Sequence, residues 1–234
     1  MAAVDKQHVS DRASPRGRRP RANDSEGRER LLDVAIGLFA ERGIANTTVA
    51  QIATAGQVTS AMVHYWFDTR EKLLDAVVDE RVAPMIHRIW DLPDAKPQGA
   101  LERVRALLSR MFEITKTSPW LPSLWLREIV QEGGLLRERA LSRIPQERSA
   151  AFRRDIASAQ ARGEINPQIA PEVLFFSMLG LVMLPLAGAR SARRFNPGPP
   201  LDREKLERHV VALLTSGLTG AAPARRARSR RSDE

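Results

Sequence analysis

Between Thr47 and Phe67 the sequence TTVAQIATAGQVTSAMVHYWF leaves room for only two helices, each of roughly eight residues, on either side of Gly56-Gln57-Val58. Helices that short do not persist alone in water, so they must pack on each other and on a longer neighbour. That requirement describes a helix-turn-helix. Val49, Ile52 and Ala53 make the inward stripe of the first helix, the small Ala53 lets the two cross closely, and Val58 plugs the turn. At about 100° per residue, Val63 and Phe67 of the second helix share an inward face with Thr59. Ser60, Ala61, His64 and Tyr65 then point outward, with Met62 and Trp66 at the flank.

His64, Tyr65, Trp66 and Phe67 stand in an unbroken row in a chain of only 5% aromatic residues (FWY), and Tyr65 is its one tyrosine. No single helix face can bury such a row. Trp66 and Phe67 are the expected core pair, while His64 and Tyr65 are presented outward, with N–H or O–H groups for phosphates or base edges. The small Ser60 and Ala61 allow close approach of the backbone to DNA, and Ala61 or Met62 suits a thymine methyl. The helix starts at Thr48 and Thr59 offer N–H groups to phosphate, with Arg70 and Lys72 at the beginning of the next helix. An ordinary three-helix corner is the competing interpretation, since residues 22–75 carry a net charge of −3. The arm 16-RGRRPRA-22, with Arg18, Arg19 and Arg21, directly precedes the first helix, where it can enter a minor groove and supply positive charge.

The formal charge of +9 sits at the ends: residues 1–21 carry +4 and residues 225–234 carry +3, which leaves +2 for the 203 residues between them. Two Arg-rich tails around a nearly neutral body suit polyanion-binding arms. With 43% hydrophobic residues in 234 the chain can build a sizeable core, and without cysteine it has neither disulfides nor thiolate metal sites. The start has no apolar segment of the secretory kind, and the longest apolar run, 173-VLFFSMLGLVMLPLAGA-189, is interrupted by Ser177, Gly180, Pro185 and Gly188. A cytoplasmic protein with no membrane partner is expected.

Almost everything beyond the arm has apolar residues at three- and four-residue spacing, which predicts about nine helices. They run near 25–42, 47–55, 59–66, 69–90 (bent at Pro84), 99–117, 121–132, 145–163, 170–189 and 202–218, with breaks at 92-LPDAKPQG-99, Gly133-Gly134 and 196-NPGPP-200. The fold class is all-α: a small helix-turn-helix domain joined to a helical bundle. The expected divisions are a basic disordered arm at 1–22, a DNA-binding domain at 23–68, a ligand-binding and dimerisation domain at 69–219, and a disordered Arg-rich tail at 220–234.

In the bundle, 119-PWLPSLWLREIVQEGG-134 sets Trp120, Leu124 and Trp125 beside Glu128, a pattern that suits a pocket for an apolar or aromatic small molecule with one polar handle. Phe112, Phe175, Phe176 and Met178 are further candidates, and core packing is the alternative for each. The helix from Pro171 is apolar nearly all round and must be covered on several sides. Pairing with helix 202–218 of a second copy would cover it, Gly180 and Ala187 allowing close approach; burial within one chain is the alternative. A two-fold dimer would set two recognition helices ~34 Å apart, or a multiple of it, on a palindromic site.

Enzyme chemistry has little support. The four histidines are isolated, no Gly-rich phosphate loop or nucleophile elbow is present, and neither a metal site nor a cofactor is expected.

The stretch 29-ERLLDVAIGLFAERGIANTTVAQIATAGQVTSAMVHYWFDTREKLLDAVV-78 resembles the TetR family of bacterial transcriptional regulators. The HYWF run looks closest to the branch that includes the choline-responsive regulators. The resemblance implies an N-terminal domain that binds an operator and a larger helical domain that binds a small effector and forms a homodimer through its last two long helices. By position, Thr48, His64, Tyr65 and Arg70 match the family's phosphate contacts, and Ala50, Ser60, Ala61 and Met62 its base-reading positions. Three departures stand out: His64 replaces the usual Tyr, Ala50 a frequent Arg, and the turn glycine lies at Gly56, leaving Gln57 where the family has Gly. A ligand-responsive repressor is therefore expected, in which an effector favours a dimer whose recognition-helix spacing misfits the operator, coupled through the helix after Asp68. A constitutive or architectural DNA-binding protein is the alternative.

Overall fold

The computed structural model describes residues 22–91, 99–195 and 200–219, all helix or connection with no strand among them. Helix α1 (Ala22–Arg42) starts a few residues before the expected position near 25, with Asp24 in its first turn. It stops at Gly43, whose φ of 84° is readily adopted by glycine. Helix α2 (Val49–Ala55) opens with a full capping box, Thr48 Oγ1 accepting from Gln51 N–H while the Gln51 side chain accepts from Thr48 N–H. Thr59 and Thr69 cap α3 (Ser60–Phe67) and α4 (Arg70–Val77) through the threonine side chain alone, each accepting at 3.2 Å from the backbone N–H of the third residue of its helix.

The turn between α2 and α3 is built by two unlike residues. Gly56 has ordinary right-handed angles, and its requirement is space: a Cβ there would fall 2.4 Å from Leu31 Cδ1. Gln57 takes the left-handed conformation, with φ 56°. Close packing and chain reversal thus fall on neighbouring positions.

The expected single helix 69–90 is three segments: α4, a π-helical stretch (π1, Val78–Val82) and α5 (Ala83–Trp90). Pro84 accounts for the break, because it has no N–H for the Glu80 carbonyl and its ring crowds that carbonyl. Arg81 Nη1 donates to the orphaned oxygen at 3.3 Å. Beyond α6 (Gly99–Thr117), the expected helix 121–132 is likewise divided into α7 (Leu121–Leu124) and a second π stretch (π2, Trp125–Val130). A helix that periodicity did not predict, α8 (Arg137–Leu141), follows the Gly133-Gly134 turn; five residues are too few to show a period. The bundle closes with α9 (Gln146–Ala161), α10 (Pro171–Phe195) and α11 (Arg203–Thr219).

Two apolar clusters form the core. One joins α1–α4 through Leu32, Phe39, Ile52, Val63, Phe67 and Leu73, and it includes Leu124, Leu136 and Ala140 from the bundle. The short helices are therefore seated on the bundle by shared packing, as the sequence required of helices that cannot stand alone. The other cluster centres on Leu107, Met111, Phe152, Ile156, Met178 and Val182. Of the expected core pair, Phe67 is buried, whereas Trp66 is only partly so and lies against Gly27 of α1.

Arginines bolt α4 and π1 to both neighbours. Arg28 holds Glu80 through two bonds of 2.6 and 2.5 Å, and its guanidinium stands 4.9 Å over the Phe67 ring. Arg81 reaches back to Glu29 and Asp33 on α1. On the other side, Arg139 of α8 spans Glu71 and Asp75 of α4, each at 2.6 Å, and Arg143 pairs with Asp79.

Over Pro171–Ala189 helix α10 is long and apolar enough to cross a membrane by composition alone. In the fold Leu174, Met178, Val182 and Met183 are buried in the bundle core, while Val173, Phe176 and Leu184 remain exposed.

Candidate nucleic-acid interface and cavity

With Val63 and Phe67 holding α3 inward, its other face is open. Ser60, Ala61, His64 and Tyr65 are exposed, Tyr65 to 69%, and Met62 is half-buried at the flank, as the helical phase requires. Thr48 and Ala50 are exposed at the start of α2 beside them in the chain. His64 is oriented from behind: its Nδ1 donates to the Asp68 carbonyl at 2.9 Å, which directs Nε2 as the remaining polar atom of the ring. Asp68 in turn has a positive φ of 61° at the end of α3 and donates its N–H to the His64 carbonyl.

The two cations expected near DNA both have internal partners. The Arg70 guanidinium is half-buried and donates to the Ile44 carbonyl, bracing the α1–α2 connection. Lys72 lies 2.7 Å from the Asp68 carboxylate, and that bond holds the Asp68 carboxyl below its ordinary value. Arg18, Arg19 and Arg21 lie outside the described residues.

A cavity of about 270 Å³ opens in the bundle, walled by Met85, Ile86, Ile89 and Trp90 of α5, Trp125, Ile129 and Val130 of π2, Ala140 and Leu141 of α8, and Phe175, Phe176, Leu179 and Met183 of α10. Trp90 and Phe175 stack at 4.4 Å to stiffen one wall, and Phe176 meets Phe175 edge-on. Arg137 is the one charged residue in a lining otherwise apolar.

Three of the eight expected pocket residues, Trp125, Phe175 and Phe176, line this cavity. The other five do not. Phe112, Leu124 and Met178 are buried in the two cores, where helix packing leaves them no free space to face, and Trp120 is wedged partly buried against both clusters. The Glu128 side chain is also buried, but its carboxylate accepts from the backbone N–H of Ile44 at 2.8 Å. It therefore serves as an internal tie and not as the polar handle of the pocket. Sequence reasoning missed the α5 wall; the apolar Ile86, Ile89 and Trp90 directly after Pro84 were its only signal.

Residues 31–77 match the family described as bacterial regulatory proteins, tetR family. The transcriptional repressor KstR2 of Rhodococcus jostii is 41% identical over 63 residues, 25% of this chain and 31% of that relative, so this match spans under a third of its length. KstR2 of Mycolicibacterium smegmatis is 21% identical over 192 residues, 82% of this chain and 90% of the relative. Three solved structures share the fold. The ketosteroid regulator KstR2 of Mycobacterium tuberculosis has a TM-score of 0.63 at 19% identity, covering 86% of this chain and 97% of that one. FadR of Bacillus subtilis, in complex with stearoyl-CoA, scores 0.61 at 18% identity, covering 81% and 98%. AibR, in complex with isovaleryl coenzyme A and operator DNA, scores 0.60 at 21% identity, covering 80% and 97%.

Proposed function

We propose that this chain, whose residues 31–77 match the tetR family of bacterial regulatory proteins, is a cytoplasmic, homodimeric transcriptional repressor of that family that leaves its operator when a small molecule fills the bundle cavity. The observation that carries the reading is the open face of α3, where Ser60, Ala61, His64 and Tyr65 stand exposed on a helix anchored by Val63 and Phe67. Small residues at the helix start and polar rings further along are what a major groove accepts. In this reading residues 23–68 read DNA, residues 69–219 bind effector and partner, and the tails add unspecific affinity for phosphate. The exposed Val173, Phe176 and Leu184 of α10 and Leu213 of α11 form the surface that a second copy covers. No catalytic role is assigned, in keeping with relatives named as transcriptional repressors.

For the effector we propose a molecule with an apolar tail for the cavity and an anionic head, the class to which long-chain coenzyme A thioesters belong. The apolar lining with a single Arg137 supports it, as do the acyl coenzyme A ligands of FadR and AibR.

Selection of DNA from a random duplex library at physiological salt is the test. Enrichment of an inverted repeat supports a sequence-reading dimer, and release of that DNA by stearoyl-CoA supports the effector class. Retention without an enriched sequence would leave only the Arg-rich tails as the binding element and would overturn the repressor reading.

A further inference from the structure

Ile44 is the second residue of the connection that leads from α1 into the helix-turn-helix, and its backbone N–H and carbonyl are both held. The N–H donates to Glu128 Oε1 at 2.8 Å across 84 positions of sequence. The carbonyl accepts from the Arg70 guanidinium and, at 3.1 Å, from Thr47 N–H, one residue before the cap of α2. Ile44 is fully buried and Glu128 is 6% exposed, so this bond lies away from solvent, where a charged acceptor is strong and its loss is costly.

The second carboxylate oxygen, Oε2, accepts from Leu135 N–H at 3.3 Å, in the turn that leads into α8. One buried carboxylate therefore ties the DNA-reading module to two segments of the cavity wall. Glycines make room for it: a Cβ on Gly43 would stand 3.3 Å from Glu128 Oε1, and one on Gly134 would fall 2.3 Å from the Glu128 carbonyl oxygen. The same π2 stretch turns Trp125, Ile129 and Val130 into the cavity.

We infer that Glu128 is a positioning residue through which the state of the cavity reaches the α1–α2 connection. A molecule that displaces Trp125 or Ile129 moves the carboxylate between them, and the Ile44 N–H loses its acceptor. The purpose of this relay rests on the regulator reading above; its existence does not.

The test is amide hydrogen exchange on the full chain, with neither DNA nor effector present. Leu179 lines the cavity from α10, a different helix, so Leu179→Trp fills the space without touching π2 in sequence. Exchange at the Ile44 amide is expected to rise roughly ten-fold in Leu179→Trp, the consequence of losing a bond to a charged acceptor. In Glu128→Ala the amide already exchanges fast and the added Trp changes nothing further. Glu128→Gln, whose amide oxygen still accepts, restores slow exchange. Should Leu179→Trp fail to fold, Ile86→Trp fills the same cavity from α5. Unchanged Ile44 exchange in the filled proteins, or equal acceleration with and without Glu128, overturns the relay. A failed search for an operator would leave this result untouched, so the two failures are distinguishable.

Discussion

The ring of Trp66 closes directly over Gly27, so near that a Cβ on Gly27 would meet Trp66 Cη2 at 2.9 Å. Helix α3 is thus seated against α1 by a rigid ring on a bare backbone. Gly27→Ala must push the ring aside or tilt α3, and it should cost about 1–3 kcal/mol, beyond any gain in helix propensity. Urea denaturation of the variant measures the loss, and a midpoint at or above that of the parent would show that the contact is slack.

The Gln57 backbone offers a change in the opposite direction. Its left-handed φ of 56° costs a side-chain-bearing residue ~1–2 kcal/mol, part of which glycine returns through greater freedom of the unfolded chain. Gln57→Gly is expected to stabilise the protein by about 0.5 kcal/mol, while Gly56→Ala, driven against Leu31, destabilises it. A denaturation midpoint for Gln57→Gly below that of the parent would refute the strain.

Acid should loosen the clamp on π1. Hydrogen bonding to Arg28 holds the Glu80 carboxyl below its ordinary value of 4.5. A lowered carboxyl contributes stability that is fully present above the ordinary value and fades as pH falls through the folded one. Because both side chains are about one-third exposed, the contribution is under about 1 kcal/mol. Thermal melts of Glu80→Gln and the parent between pH 7 and 3 should converge at the acid end; a constant gap would remove the pair from the acid response.

His64 is aimed outward by its own helix end. With Nδ1 bonded to the Asp68 carbonyl at 2.9 Å, the exposed edge of the ring carries Nε2. If the ring meets DNA, His64→Ala should weaken affinity for the selected operator roughly ten-fold and leave stability nearly unchanged. Binding titrations at constant salt decide it, and equal affinity in the two proteins excludes His64 as a DNA contact.

Arg137→Ala should weaken stearoyl-CoA binding roughly ten-fold, as loss of a partly exposed charge contact does, while leaving operator affinity unchanged. Calorimetry with the ligand and gel shift with the operator separate the two effects.

The parts legible in the sequence are those decided within a few residues. Thr48, Thr59 and Thr69 cap their helices, Gly43 ends α1, and the phase of α3 sets which of its rings are outside. The parts that were not legible are decided by what lies across a gap. Periodicity marks Leu124 and Met178 as apolar and inward, exactly as it marks Phe175; whether the opposite space is filled depends on where α5 and α10 come to rest. Glu128 beside Arg127 has the pattern of a surface pair, and only the approach of Ile44 from a distant segment makes it an internal tie. The two π stretches left no mark beyond Pro84, because wide and ordinary turns use the same residues.

Those stretches set the phase of everything beyond them. An ordinary α-helix carries its faces round at about 100° per residue, so a rod from Arg70 to Trp90 would hold α4 and α5 in one fixed rotation. The wide turn at Val78–Val82 lets the rod slip by part of a turn: Leu73, Leu74 and Val77 address one core while Met85, Ile86 and Ile89 address the cavity. Five residues in this wide turn cover about the rotation that four cover in an ordinary one, so deleting a single residue from it would close the rod to a regular helix with both faces still aimed where they are, whereas deleting one from α4 would swing everything beyond it by about 100°.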